Sequence, residues 1–169
     1  FGAGGYVFGT PAGYYAGGSD GAPSYTKLDT VERFAFADDS RATLTATMST
    51  GRLNFAGMAS PVAGYYGGGW YSGASYVDAV DRFLFSDDSV TTLGTGLSTG
   101  CQGLSGFASS VAGYFGFGYS GSRLDAIDRF LFSDNSRTTL SATLSDNANS
   151  RGGMASSVAG YSAGGYDGT

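Results

Sequence analysis

The sequence predicts an all-β fold, and three observations predict it. The first is composition: 30 Gly, 12 Tyr and 12 Phe stand against three Pro. That mixture suits short strands and tight turns, because Gly weakens helices and aromatic rings fit pleated surfaces. The second is self-similarity. Asp29-Thr-Val-Glu-Arg-Phe-Ala-Phe-Ala-Asp-Asp-Ser returns as Asp78-Ala-Val-Asp-Arg-Phe-Leu-Phe-Ser-Asp-Asp-Ser and as Asp125-Ala-Ile-Asp-Arg-Phe-Leu-Phe-Ser-Asp-Asn-Ser, and Ala-Gly-Tyr stands at 12–14, 63–65, 112–114 and 159–161. The third is period-two alternation within the Asp-x-Val-x-Arg-Phe run, with apolar bulk on both faces.

The spacing of these markers divides each repeat into a rigid part and a variable part. From the Asp marker to the Gly of the next Ala-Gly-Tyr the distance is 35 residues each time, 29 to 64, 78 to 113 and 125 to 160. Repeat length nevertheless falls from 51 to 49 to 47. The whole change lies in the segments 19–28, 70–77 and 119–124, of ten, eight and six residues.

Each repeat reads as four strands. Gly57-Met-Ala-Ser is a short Gly-rich strand, Val62–Gly68 a second, Asp78–Phe85 a third and Val90–Leu97 a fourth. The Asp87-Asp88-Ser89 turn joins the last two, since Asp and Ser side chains bond nearby backbone. Gly94, Gly96 and the β-branched Thr91, Thr92 and Thr95 disfavour a helix there. In the third strand Val80 and Leu84 point one way and Phe83 and Phe85 the other, so the strand needs cover on both sides. Four-stranded sheets repeating at this length are the signature of a β-propeller. The repeats run approximately 4–48, 55–97 and 104–144, with a half repeat at 153–166, in one domain over 1–169.

These residues resemble the kelch repeat. That family's pattern is an apolar strand ending in a Gly pair, a variable loop, an aromatic-bearing strand, a turn, a fourth strand and often an Arg. Ala63-Gly-Tyr-Tyr-Gly-Gly-Gly69, Val80-Asp-Arg-Phe83 and Leu44 through Arg52 fall at the matching places, and the similarity spans nearly all 169 residues. The family's Trp in the fourth strand is replaced by Thr or Leu, and the Gly pair is imperfect at Gly116-Phe-Gly118. The Gly-Tyr-x-x-Gly-Gly form is also similar to repeats of phage tail-fibre and surface proteins. The resemblance implies about three and a half kelch-like propeller blades and a partner-binding role. It further implies display outside the cell, or on a virion surface, as a structural or adhesive module of a filament or fibre. A kelch-type protein-binding adaptor domain is the alternative.

Composition narrows the chemistry. With 9 basic and 14 acidic residues and a pI near 4.4, the chain lacks the cationic surface that tracks phosphates, so nucleic acid is not an expected partner. There is no His, which removes His-based acid–base work, a Ser-His-Asp triad, imidazole metal sites and the copper site of the few kelch-like oxidases. The single Cys101 forms neither an intramolecular disulfide nor a zinc site. No run has the length of a membrane-spanning helix. No enzymatic activity, cofactor or metal is expected.

Three sets of residues are candidates for function. The variable loops carry Tyr25, Trp70, Tyr71, Tyr76, Tyr119 and Tyr166 among Ser, Thr, Gly and Asp. Such a mixture suits stacking on sugar faces or contact with a surface protein, and equally the packing of rings over the ends of the repeats. The pairs Asp29/Arg33, Asp78/Arg82 and Asp125/Arg129 stand four apart on a strand, with Glu32, Asp81 and Asp128 on the opposite face. They read either as structural ion pairs fixing register or as a ring of carboxylates. The Asp-Asp-Ser turns offer oxygen ligands, but one turn gives too few for calcium. Fourteen strands leave half a repeat with exposed edges, which invite another copy or a missing part of the same polypeptide; assembly with other copies into a filament or oligomer is the expectation, and a domain fragment the alternative.

Overall fold

The computed structural model describes residues 12–72, 75–116, 118–143, 145 and 148–166, and every described element is a strand. Sheet I holds β1 (Ala12–Ala16), β2 (Val31–Ala35) and β3 (Arg41–Thr43) in that order. Sheet II holds β4 (Ala56–Ala59), β5 (Ala63–Gly67), β8 (Val80–Leu84) and β9 (Val90–Thr92), with the β6 (Trp70–Ser72) and β7 (Ser75–Tyr76) hairpin inserted between β5 and β8. Sheet III repeats the four-stranded order with β10 (Ser105–Ala108), β11 (Ala112–Gly116), β12 (Ile127–Leu131) and β13 (Arg137–Thr139). Sheet IV is the pair β14 (Gly152–Ala155) and β15 (Gly160–Ala163). The sheets are separate antiparallel ladders that do not close into a ring. The expected first strand at 4–9 lies outside the described residues, as does Leu144 at the end of the third repeat.

Local chemistry explains the turns. Ser60, Ser109 and Ser156 each accept the N–H of the second and third residues that follow, and donate to the carbonyl of the third, which folds the first strand back on the second. Between the third and fourth strands, Asp38, Asp87 and Asp134 accept the N–H of Ser40, Ser89 and Ser136. The middle residues Asp39, Asp88 and Asn135 take φ of 56°, 57° and 58°, a left-handed conformation that Asp and Asn tolerate.

The fourth strand is shorter than its sequence suggests. Only Val90–Thr92 form a ladder; Leu93 and Leu97 then donate singly to the carbonyls of Val80 and Asp78. Gly96 sits against the Asp78 carbonyl, a position with no room for a side chain.

The two-faced third strand is covered as expected. Phe83 joins Val31 and Met48 in a core between sheets I and II. Val80 joins Met58, Tyr65, Leu97, Leu104, Phe115 and Phe130 in a second core between sheets II and III. The interior is therefore a series of slabs between stacked sheets. The first strands β4, β10 and β14 lie beside one another along the stack. A side chain on Gly106 would meet the Gly57 carbonyl, and one on Gly153 the Gly106 carbonyl, so these glycines set the close approach.

Candidate functional site

The variable segments become hairpins that stand side by side along one edge of the stack. After the second strand the chain turns through Gly17-Gly18, Gly68-Gly69, Gly118 and Gly164-Gly165, whose φ values between 60° and 127° belong to Gly. Each hairpin is closed at its base by an antiparallel pair: Ser19 with Lys27, Trp70 with Tyr76, Tyr119 with Arg123. This explains why the segments shrink from ten to eight to six residues. Removing one residue from each arm preserves which side chains face the neighbour, whereas a single deletion would reverse them.

The bases touch in sequence. The Lys27 ammonium lies 4.4 Å from the centre of the Trp70 ring. The Tyr76 and Tyr119 rings meet edge-on at 5.9 Å, and the Arg123 guanidinium lies 5.0 Å from the Tyr166 ring. Trp70 also exchanges two backbone hydrogen bonds with Leu53, of 2.8 and 3.1 Å. Of the six aromatic residues singled out in the sequence, Trp70, Tyr76 and Tyr119 are half-buried and hold neighbouring repeats together. Tyr25, Tyr71 and Tyr166 are 59%, 47% and 57% exposed and face outward. In the hairpin that carries Tyr25, Asp20 accepts from the Ser24 hydroxyl and the Thr26 N–H.

Comparison with protein-family models and with curated proteins finds no match. The chemistry of the chain is therefore argued from its own side chains. Among the described residues no helix is long and apolar enough to cross a membrane, and no cluster of three or more Cys, Asp or Glu is arranged to hold a metal ion.

The ion pairs differ from those anticipated. Arg33 pairs with Asp88 of the next sheet at 3.2 Å, not with Asp29. Arg82 and Arg129 make no ion pair among the described residues, and their buried Nε atoms have no hydrogen-bond partner. The reason is geometric: residues four apart on a strand share a face but lie about 13 Å apart, well beyond an ion pair. Asp29 and Asp78 precede their strands, and their backbone carbonyls accept from Met48 and Leu97. Asp125 likewise precedes β12.

Charge is buried instead on the opposite face of the third strand. Asp81 accepts from the Ser49 N–H (3.0 Å) and hydroxyl (2.9 Å), from Arg52 (2.9 Å) and from the Thr92 hydroxyl (2.7 Å). The Arg52 and Asp81 side chains are fully buried, and Arg52 also donates to the Tyr66 carbonyl. Burial lowers the Arg52 pKa, and the Asp81 charge opposes that shift. Asp128 is held in the same way by Ser98 and Thr139, with Arg137 at 3.3 Å. Glu32 pairs with Arg41 at 2.7 Å. Each carboxylate thus has one Arg. It comes from the strand alongside in repeats one and three, and from the preceding connection in repeat two, where Val90 takes the strand position and Cys101 later replaces Arg52. Asp81 and Asp128, bonded to Ser49 and Ser98 of the preceding connections, are engaged in holding the stack, while Glu32 is half-exposed and pairs within sheet I.

A second contact repeats at the junctions of sheets I with II and II with III. The Tyr14 hydroxyl donates to Asp88 at 2.9 Å and its ring stacks on Phe85 at 5.3 Å. Tyr65 donates to Asn135 at 3.1 Å and stacks on Phe132 at 5.4 Å. Burial, reinforced by Asp88, pushes the Tyr14 hydroxyl up to about 12, so it remains a donor. Burial, with the Asp128 charge nearby, pushes the Cys101 thiol up to about 12 as well, which removes it as a nucleophile.

Proposed function

We propose that the chain is a non-enzymatic structural and adhesive module, built of kelch-like propeller blades and displayed outside the cell on a filament or virion fibre. The observation that carries this reading is the continuous row Lys27, Trp70, Tyr76, Tyr119, Arg123 and Tyr166 along one edge, with Tyr25, Tyr71 and Tyr166 turned outward. A rigid base with exposed rings among hydroxyls and carboxylates suits the apolar faces of sugars, or a flat protein surface. The engagement of Asp81 and Asp128 by Ser, Thr and Arg supports a structural use of the carboxylates over acid–base work.

Assembly is the second half of the proposal. In sheet IV, Met154 is 65% and Tyr161 53% exposed, while their counterparts Met58 and Tyr65 are 8% and 1% exposed. That face takes further polypeptide.

Glycan-array and surface-protein binding by the wild-type chain, compared with a Tyr25→Ala, Tyr71→Ala, Tyr166→Ala variant, tests the adhesive half. The variant is expected to lose binding while melting like wild type. Retained binding would move the contact surface elsewhere, and capture of a protein by wild type without glycan binding would favour the adaptor reading.

A further inference from the structure

The junctions of sheets I with II and II with III are built alike apart from one acceptor. At the first, the turn residue Asp88 presents two carboxylate oxygens: Oδ1 accepts from the Tyr14 hydroxyl at 2.9 Å and Oδ2 from the Arg33 guanidinium at 3.2 Å. At the second, Tyr65 and Arg82 stand opposite each other on β5 and β8, as Tyr14 and Arg33 do on β1 and β2. The Tyr65 hydroxyl donates to Asn135 Oδ1 at 3.1 Å, and Arg82 makes no ion pair among the described residues.

With Oδ1 taken by Tyr65, the other arm of the Asn135 amide is its NH2, which only donates. It takes the place in which Asp88 Oδ2 meets Arg33, so an amide and a guanidinium, both donors, converge with no acceptor between them. The amide is held in that orientation. Tyr65 is 1% exposed and its ring stacks on Phe132 at 5.4 Å, while Asn135 sits at a φ of 58° in a turn closed by the Ser136 N–H on Asp134. Beside Arg82 on β9 stands the exposed Thr91, a hydroxyl where the first junction has Ala42 beside Arg33. Negative charge is tolerated here, because Asp87, the counterpart of Asp134, flanks the Asp88 that pairs with Arg33.

We propose that Arg82, the Asn135 amide and Thr91 form a binding site for a small anion, a halide or a free carboxylate, which supplies the acceptor that Asp88 supplies at the first junction. Charge-assisted hydrogen bonds from the guanidinium carry the affinity, and the amide fixes the position of the ion. Because the ion binds the folded junction, it stabilises sheets II and III against each other by mass action. The site lies between two described sheets and is independent of both adhesion and assembly.

Side-chain NMR of the 169-residue chain, titrated with sodium chloride and separately with sodium acetate, tests it. The Arg82 Nε–H and Asn135 NH2 signals are expected to shift saturably, while the Arg33 Nε–H, whose carboxylate is already in place, reports ionic strength alone. Asn135→Asp supplies the acceptor from within and suits the turn, since Asp88 holds the same turn at a φ of 57°. In that variant the saturable Arg82 response should disappear. A wild-type response to one salt only narrows the ligand to a halide or to a carboxylate, and a response to both gives the site to small anions at large. Signals that stay still, that drift in step with Arg33 without saturating, or that respond unchanged in Asn135→Asp overturn the proposal.

Discussion

Arg52 and Asp81 show how one buried charge pair ties two repeats together. Neither side chain is exposed, so truncating one leaves the other uncompensated in the interior. Arg52→Ala should destabilise by about 3–5 kcal/mol in denaturant unfolding. Asn135 gives the opposite expectation. It stands where Asp88 accepts from both Tyr14 and Arg33, yet an amide cannot pair with the Arg82 charge. Asn135→Asp keeps the φ of 58° accessible and should stabilise by about 0.5–1 kcal/mol, a modest figure because the corresponding Arg33–Asp88 pair is partly solvated. Cys101 should resist alkylation at neutral pH in the folded chain and react once denatured, since its thiol is pushed up to about 12.

Each strand connection has a rule that mutation can probe. The glycines of the first strands govern how closely the sheets stack: Gly106→Ala would push against the Gly57 carbonyl and should cost about 1–3 kcal/mol in thermal melting. In the turns, hydrogen bonds from Ser40, Ser89 and Ser136 hold the Asp38, Asp87 and Asp134 carboxyls below their ordinary range. A depressed carboxyl pKa contributes stability above the unfolded value that is lost as pH falls through the folded one. Acid titration of Asp87→Asn, which keeps an acceptor for the Ser89 N–H but removes the titrating carboxylate, should therefore show a smaller loss of stability across that window than wild type.

Much of this architecture is legible in the linear sequence. The repeat, the Asp-Asp-Ser turns, the need for cover on both faces of the third strand and the adjacency of the variable segments all follow from spacing, alternation and turn chemistry. What escapes is partner choice across junctions. Arg33 finds its carboxylate 55 residues away, because pairing is set by how one sheet lies on the next. The six loop aromatics suit packing and contact equally in the sequence, and which do which is set by the hairpins: Trp70, Tyr76 and Tyr119 pack at the bases, and Tyr25, Tyr71 and Tyr166 lie outside. The exchange of Arg between positions 41, 52 and 137, one for each third-strand carboxylate, is a signal the sequence does carry; reading it requires aligning the repeats position by position.

The whole molecule is then a stack in which each sheet is stabilised chiefly by its neighbours, as in other repeat architectures. Native-state hydrogen exchange on Arg52→Ala examines that stack at its fully buried charge pair. Amides on both sides of the junction, Gly17 and Met48 in the first repeat and Leu53 and Trp70 in the second, should lose protection together, while those of β11 and β12 in sheet III keep theirs. Loss confined to the residues flanking Arg52, or spread evenly through sheet III, would contradict a stack joined junction by junction.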